Sequence, residues 1–535
     1  MKSWARVCKP AFWTSYSYVD RKGVIVESAT AQLIHRAGSA TVGELLRTQA
    51  RRVPLRIAVD DGVNQRSYSE LDHRVNRLAN CLAALGVVRG ARVTILSENR
   101  GEYIEAVLAA AKLGAILCAL NWRLTRDELA HCVALVEPVV TLVSPRFQQA
   151  HAALGGSSAA TITLGADYET RLAAAMPTEP PEVALPEDGL LILYTSGTTG
   201  MPKGALISHR AQLARMDLSR IDFALEENDG FVAWAPLFHM VSLDHALHVL
   251  GVGGKVLVVD GPDIARLTHL IATERQWWLV LIPGMIERLV EALRAAAVVP
   301  LGIKMIGALP DLVPAQLVGE ASRLLRAPYL NSFGSTETGM VPACGGFFAI
   351  GHEPARLAKT HNSLYRWRLV DSADADVRPS EAGEMALRGP TLFSGYWNME
   401  AVNAHEFRGG WFHMGDMFVE EADGRLNFVD RSKYLIKSGG ENIYPIEIER
   451  VLMADARVAE AVVVRRRDAA WGEVPVAFVA VHDHAVTVDE LLRVCRAGLA
   501  SYKLPREIRI VASQNEFPRS TSGKVQRGQV ERWLD

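Results

Sequence analysis

Apolar and polar positions along the first part of the chain alternate between two periods. "ARVTILSEN" (91–99) predicts a strand, "GEYIEAVLAAAKLGA" (101–115) a helix with small apolar faces, and "ILCALN" the next strand. "TRDELAHCVALVE" opens with Thr125 and Glu128 at capping-box spacing, where hydroxyl and carboxylate each take a backbone N–H left over at a helix start. "PVVTLVS" is a further strand. The alternation resumes at "GLLILYTS" and runs on through "GKVLVVD", "WWLVLIP" and "IKMIGAL". Strand, helix and strand in turn imply α/β architecture with parallel-rich sheets. Residues 151–188, rich in Ala, Gly and Pro, read as a surface connection.

Near residue 415 the pattern changes. "MFVEEADGRLNFVDR" predicts two short strands about an Asp-Gly turn. "NIYPIEIERVLM" reads as a helix, "VAEAVVVRRR" and "VPVAFVAVHD" as strands, and "TVDELLRVCRAGL" as a helix with Thr487 and Glu490 again at capping-box spacing. A chain of 535 residues exceeds what one core holds. The fold class is therefore α/β: a large N-terminal domain of α/β subdomains (1–430) and a small α+β C-terminal domain (431–535).

Composition narrows the partners. With 49% hydrophobic residues and a formal net charge of -2, the chain has no basic excess to attract nucleic acid or a membrane surface. The six cysteines are scattered without CxxC pairs, which indicates neither a disulfide framework nor a zinc site and fits a reducing cytoplasm. The N-terminus lacks the apolar run of a secretory signal, and no stretch is long and apolar enough to predict an integral membrane segment.

The clearest chemistry lies in "YTSGTTGMPKG" (194–204), delivered by the apolar strand "LLILY". Successive backbone N–H groups in a glycine-rich turn form an anion-binding concavity, and hydroxyls add donors. Lys203 adds a positive charge. The Walker pattern requires GK followed by Ser or Thr; here Pro202 precedes the lysine and Gly204 follows it. The loop is thus a phosphate binder of another kind.

The same eleven residues resemble the phosphate-loop signature of the adenylate-forming ligases, the group of acyl-CoA synthetases, adenylation domains and luciferases. "PLFH" (236–239), "NSFGSTETG" (331–339), "GEMALRGP", "SGYWN", "GWFHMGD" (410–416), "VDRSKYLIKSGGENIYPIEIE" (429–449) and "PRSTSGK" (518–524) follow in that family's order, so the resemblance covers roughly residues 40–530. It implies that a carboxylic acid and ATP form an acyl-adenylate with release of pyrophosphate, and that the acyl group passes to a thiol. ATP, Mg²⁺ and CoA are the implied cofactors and co-substrates.

Residue roles follow from the resemblance, motif by motif. Lys524 is the implied catalytic lysine. Thr195, Ser196, Gly197, Thr198, Thr199, Gly200 and Lys203 hold phosphates. Glu337 is the magnesium ligand, a hard carboxylate suited to that ion. Gly307 and Ala308, with Ser332, Phe333, Gly334, Ser335 and Thr336, line the nucleotide. Asp416 takes the ribose hydroxyls with Arg431 as a second contact. Lys433 is the hinge about which the small domain rotates, and Lys437, Ser438, Gly439, Gly440 and Glu441 form the thiol-transfer face.

His239 stands where amino-acid-activating relatives carry an Asp, which argues against an amino acid. Asp244 reads as a helix-surface or capping residue. Met240, Leu243, Met285 and Met340 predict an apolar wall, and the expected acid is a medium- or long-chain fatty or bulky alicyclic one. An aryl acid, a carrier-protein thiol as acceptor, and a non-catalytic nucleotide-binding role stay open as alternatives, as does the oligomeric state, a homodimer included. Tyr434, Met414 and the segment 343–371 depart from the family pattern.

Overall fold

Short β-rich runs flanked by capped helices build two parallel-centred sheets in the computed structural model, which describes residues 17–19, 25–27, 29–155, 160–195, 201–282, 284–438, 441–482, 485–519 and 525–534. Both predicted capping boxes form: Thr125 and Glu128 cap the helix Arg126–Val136, and Thr487 and Glu490 cap Val488–Gly498. A third, Ser67 with Glu70, starts Tyr68–Ala84.

Among the described residues, one sheet has six strands in the order Lys203–Ser208, Gly189–Thr195, Ile116–Ala119, Arg92–Leu96, Val140–Val143, Ala160–Thr163. All neighbours are parallel except the first pair, which is antiparallel and carries the phosphate-loop signature at its turn. The helix Gly101–Lys112 behind this sheet is buried at every position. Its alanines let it pack closely on all sides, so no amphipathic stripe is needed. Lys112 ends it with its amine 2.6 Å from Asp72, 2.7 Å from Asn76 and 2.8 Å from Glu179.

The second sheet has eight strands, ordered Gly346–Phe348, Tyr329–Asn331, Ile303–Ile306, Gln276–Leu279, Gly230–Ala233, Lys255–Val258, Ile57–Asp60, Gln65–Ser67. Its centre is parallel and both edges are antiparallel. A four-stranded antiparallel sheet, Arg366–Val370, Gly383–Arg388, Phe412–Glu420 and Leu426–Arg431, follows. The C-terminal part forms a separate five-stranded sheet around the long hairpin Val458–Asp468 and Gly472–Val481. Residues after 435 pack into cores of their own, one around Ile436, Leu491 and Ile508 and one around Val464, Phe478 and Val530.

Two expectations change. Residues 151–188 are more than a connection: Ala160–Thr163 extends the first sheet, and the helix Ala166–Ala174 buries Tyr168 and Leu172. A four-residue edge strand and an alanine-rich helix give too weak a periodicity to stand out from the surrounding Gly and Pro. The helix expected across "NIYPIEIERVLM" begins at Pro445, because Glu441–Ile443 first pairs as a strand with Ile436–Ser438. The divergent segment 343–371 contributes the edge strand Gly346–Phe348 and the fully buried Lys359, whose amine lies 2.6 Å from Asp311 and 2.8 Å from Asn331. Among the described residues no helix is long and apolar enough to cross a membrane.

Candidate active site

The candidate site is assembled where segments distant in sequence meet the strand pair Gly189–Thr195 and Lys203–Ser208. Strand Gly189–Thr195 ends at the loop, and the return strand starts at Lys203, which pairs with Thr195 in register. Ser196, Gly197, Thr198, Thr199 and Gly200 lie outside the described residues, as do Gly439, Gly440 and Lys524. The motif "SGYWN" adds to the outer side of the return strand: Leu206 N donates to Gly395 O at 3.0 Å, Ser394 N to Leu206 O at 2.7 Å, and Trp397 N to Gly204 O at 2.8 Å.

This pairing fixes Tyr396. The Lys203 ammonium, 8% exposed, sits 4.6 Å from the Tyr396 ring centroid, and the Tyr396 hydroxyl donates to Glu337 Oε1 at 2.8 Å. Phe393 N donates to Glu337 O at 2.8 Å, so both the backbone and one carboxylate oxygen of Glu337 are held from the same segment. Burial, and then the adjacent Glu337 carboxylate, push the Tyr396 phenol well above its usual range, so it stays a donor. Glu337 is half-buried. Its second oxygen has no partner among the described residues, and a single hard carboxylate fits an ion that takes its other ligands from phosphate and water.

Arg215 fixes the backbone just before Glu337. Its guanidinium donates to Thr336 O and Thr391 O at 3.0 Å each, and to Asp244 Oδ2 at 2.8 Å. Both charged side chains are 1% exposed. Asp244 is therefore no surface or capping residue; the helix Met240–Val252 is enclosed on nearly every side, so its polar positions carry no exposure pattern. Burial pushes the Asp244 carboxyl above its usual range, outweighing the guanidinium beside it.

The turn at Gly307 and Ala308 and the segment after Asn331 are fixed by glycine geometry and ring packing. Gly307 has φ +81°, and a Cβ there would fall within the Tyr329 ring. Trp278 Nε1 donates to Gly307 O at 2.8 Å, and Tyr329 Oη donates to Ala308 O at 3.2 Å. Ser332 Oγ accepts from Leu309 N at 2.8 Å, which joins this turn to the "NSFGSTETG" segment. A Cβ on Gly334 would collide with Gly339 O. Ser335 Oγ lies 3.2 Å from Thr338 Oγ1. The Phe333 ring packs against Phe418 and Phe428, with centroids 4.9 and 4.7 Å away, and so ties the segment to the hairpin that carries Asp416 and Arg431. Those two are register partners across the hairpin, with Arg431 Nε 3.2 Å from Asp416 Oδ1. The charge of Asp416 raises the Arg431 pKa.

His239 is exposed and caps the helix Met240–Val252, its Nδ1 accepting from Val241 N at 3.2 Å. Met240 and Met340 line a narrow void, whereas Leu243 is fully buried in the central core and Met285 is buried at the head of Ile286–Ala295. Lys433 is exposed in the short turn Ser432–Tyr434, with its ammonium 4.9 Å from the Tyr434 ring centroid. Lys437 and Glu441 are exposed and Ser438 half-buried on the paired strands after it. Arg519 and Val525, which flank the segment of Lys524 in the sequence, pair as an isolated bridge. The sequence reading gave no role to Arg215 or Tyr396. Tyr396 lay within a quoted motif; Arg215, in a helix of low amphipathicity, left no signal.

Residues 46–397 match the AMP-binding enzyme family and residues 447–524 its C-terminal domain. The chain is 35% identical over 480 residues to the indoleacetate–CoA ligase of Aromatoleum aromaticum, covering 87% of this chain and 92% of that protein. It is 33% identical over 495 residues to a feruloyl-CoA synthase of an Amycolatopsis species, covering 90% and 97%. Among solved structures, the o-succinylbenzoate CoA synthetase of Bacillus subtilis in complex with its acyl-adenylate intermediate is similar with TM-score 0.79 and 27% identity, over 91% of this chain and 97% of that one.

Proposed function

Since the chain belongs to the AMP-binding enzyme family and is an AMP-forming acid–CoA ligase that uses ATP, Mg²⁺ and CoA, we propose that the acid it activates is an aryl acid. The observation that carries this reading is the wall behind Met340. There Arg215, Asp244, His245 and His248 line the same narrow void as Met240 and Met340. A long alkyl chain would have to pass these buried polar groups without hydrogen bonding to them. A flat, short aryl group stops in front of them. The relatives named for indoleacetate, ferulate and 2-succinylbenzoate support the same class over the fatty or alicyclic acid expected from the methionines alone.

The carboxylate oxygen attacks the α-phosphorus of ATP, pyrophosphate leaves, and the acyl-adenylate forms; the CoA thiol then attacks the acyl carbon and AMP leaves. Both partners in the first step are anionic, so positive charge and alignment limit the rate. Lys203 and the loop from Thr195 to Gly200 place charge and N–H donors on the phosphates. Asp416, oriented by Arg431, takes the ribose hydroxyls, and the turn at Gly307 and Ala308 with Ser332–Thr336 lines the base. Mg²⁺, held through Glu337, neutralises phosphate charge when bound. Lys524 bridges the carboxylate and α-phosphate. The domain from residue 431 turns about Lys433 to bring Lys437–Glu441 to the thiol. ATP and CoA as substrates support a cytoplasmic location.

Pyrophosphate release measured with aryl, alicyclic, fatty and amino acids in the presence of CoA tests the assignment. The highest kcat/KM is expected for an aryl acid. A fatty acid preferred tenfold over every aryl acid would overturn it.

A further inference from the structure

We infer that the space behind Met340 is a subsite for a hydrogen-bond donor at the far end of the acid, with His245 as the accepting group. This rests on the aryl-acid reading above. Among the residues that line the void, too narrow as it stands for a water molecule, are Arg215, Asp244, His245, His248, Met240 and Met340. Met240 follows His239 directly, Met340 lies three residues beyond Glu337, and Arg215 of the lining donates to Thr336 O, so the void adjoins the segments that carry the candidate site.

His245 is 1% exposed, and its ring stands edge-on to Trp278 with centroids 4.6 Å apart. Nδ1 lies 2.8 Å from Val241 O. A carbonyl oxygen only accepts, so Nδ1 carries the proton. Burial holds this imidazole down to about 4, so near neutral pH Nε2 is a bare lone pair. It faces the Met340 sulfur at 3.2 Å, and a thioether has no proton to give.

His248 repeats the arrangement. Its Nδ1 is 3.0 Å from Ser219 Oγ, and that hydroxyl donates to Arg215 O at 3.2 Å. The serine therefore accepts from Nδ1–H, and Nε2 is left an acceptor with no partner among the described residues. Asp244 Oδ1 likewise has none, its other oxygen being held by Arg215. The guanidinium already donates from all three nitrogens. The lining thus offers two imidazole nitrogens and a carboxylate oxygen as acceptors, beside a guanidinium each of whose nitrogens already holds one acceptor.

Buried acceptors favour a ligand that brings the missing proton. An indole or aniline N–H or a phenol O–H does so. A second carboxylate is acceptor-only and anionic, and an ether or a hydrocarbon offers no proton. Met340 is unbranched and swings readily, so it closes the subsite in the free enzyme and yields to the ring when the acid binds.

Steady-state thioester formation with isosteric pairs tests this: indole-3-acetate against benzofuran-3-acetate, and 4-hydroxycinnamate against 4-fluorocinnamate, on the wild-type chain and on His245→Leu. At least one donor-bearing acid is expected to exceed its isostere by about tenfold or more in kcat/KM, and that ratio should fall toward one in His245→Leu. Ratios near one for both pairs in the wild type overturn the subsite, as does an undiminished ratio in a folded His245→Leu. The wild-type comparison decides the matter should that variant not fold. Turnover of fatty acids with none of any aryl acid would instead overturn the aryl-acid reading itself.

Discussion

Replacing Arg215 by Met separates what the buried ion pair does for stability from what it does for catalysis. The variant leaves Asp244 with no cation in a site where both side chains are 1% exposed, and removes the donors to Thr336 O and Thr391 O. Breaking one partner of such a pair costs about 3–5 kcal/mol. The second variant, Arg215→Met with Asp244→Leu, removes the stranded charge as well. Burial already pushes the Asp244 carboxyl up despite the adjacent guanidinium, so desolvation outweighs the attraction and a matched apolar pair is neutral or stabilising by ~1–4 kcal/mol. The two carbonyls that lose their donor offset this by about 1 kcal/mol each. The double variant should therefore melt close to the wild type and well above the single variant. Activity should not return with it, because Thr336 and Glu337 have lost their anchor in both. A loss of about tenfold in pyrophosphate release, or ~1.4 kcal/mol of transition-state positioning, is expected for each. Thermal unfolding monitored by circular dichroism, alongside pyrophosphate release, reads both quantities. A double variant no more stable than the single one would refute the electrostatic reasoning, and full activity in the double variant would refute the anchoring role.

Three further outcomes follow. Tyr396→Phe removes the 2.8 Å donor to Glu337 but keeps the ring under Lys203; a fall of about tenfold in kcat/KM for ATP, with an increased Mg²⁺ requirement, is expected in a magnesium titration, and an unchanged titration would contradict the tie. Lys524→Ala should abolish adenylation while leaving thioester formation from supplied acyl-adenylate intact; equal loss of both half-reactions in a folded variant would contradict its role. His209, whose Nδ1 accepts from Val42 N at 3.2 Å, is held by burial from 6.5 down to about 4. The unfolded chain binds the extra proton between those values, so this stability is present above pH 6.5 and lost toward pH 4, by at most ~1.4 kcal/mol per unit. His209→Asn, which keeps an acceptor for Val42, should flatten the fall in melting temperature over that range.

The parts of the fold and of the candidate site legible in the sequence were those encoded locally. The strand before Thr195, the hairpin that pairs Asp416 with Arg431, and both capping boxes each rest on residues close in the chain. Gly307 and Gly334 were legible by motif, and their close approaches to Tyr329 and Gly339 explain the glycines physically. What escaped was nonlocal. Tyr396 reaches Glu337 across 59 positions, and Arg215 reaches Thr336 across 121. Asp244 looked like a surface charge because a helix buried all round has no polar face to show which charges are inside. For the same reason the polar groups in the methionine-lined void, His245 and His248, left no signal: they lie on the enclosed helix Met240–Val252, five and eight residues beyond Met240.

The most direct test of the account is a crystal structure with a nonhydrolysable ATP analogue and Mg²⁺. It should place the phosphates between Thr195 and Lys203, the ion on Glu337 and the ribose on Asp416. An analogue bound away from Thr195 and Glu337 would contradict it.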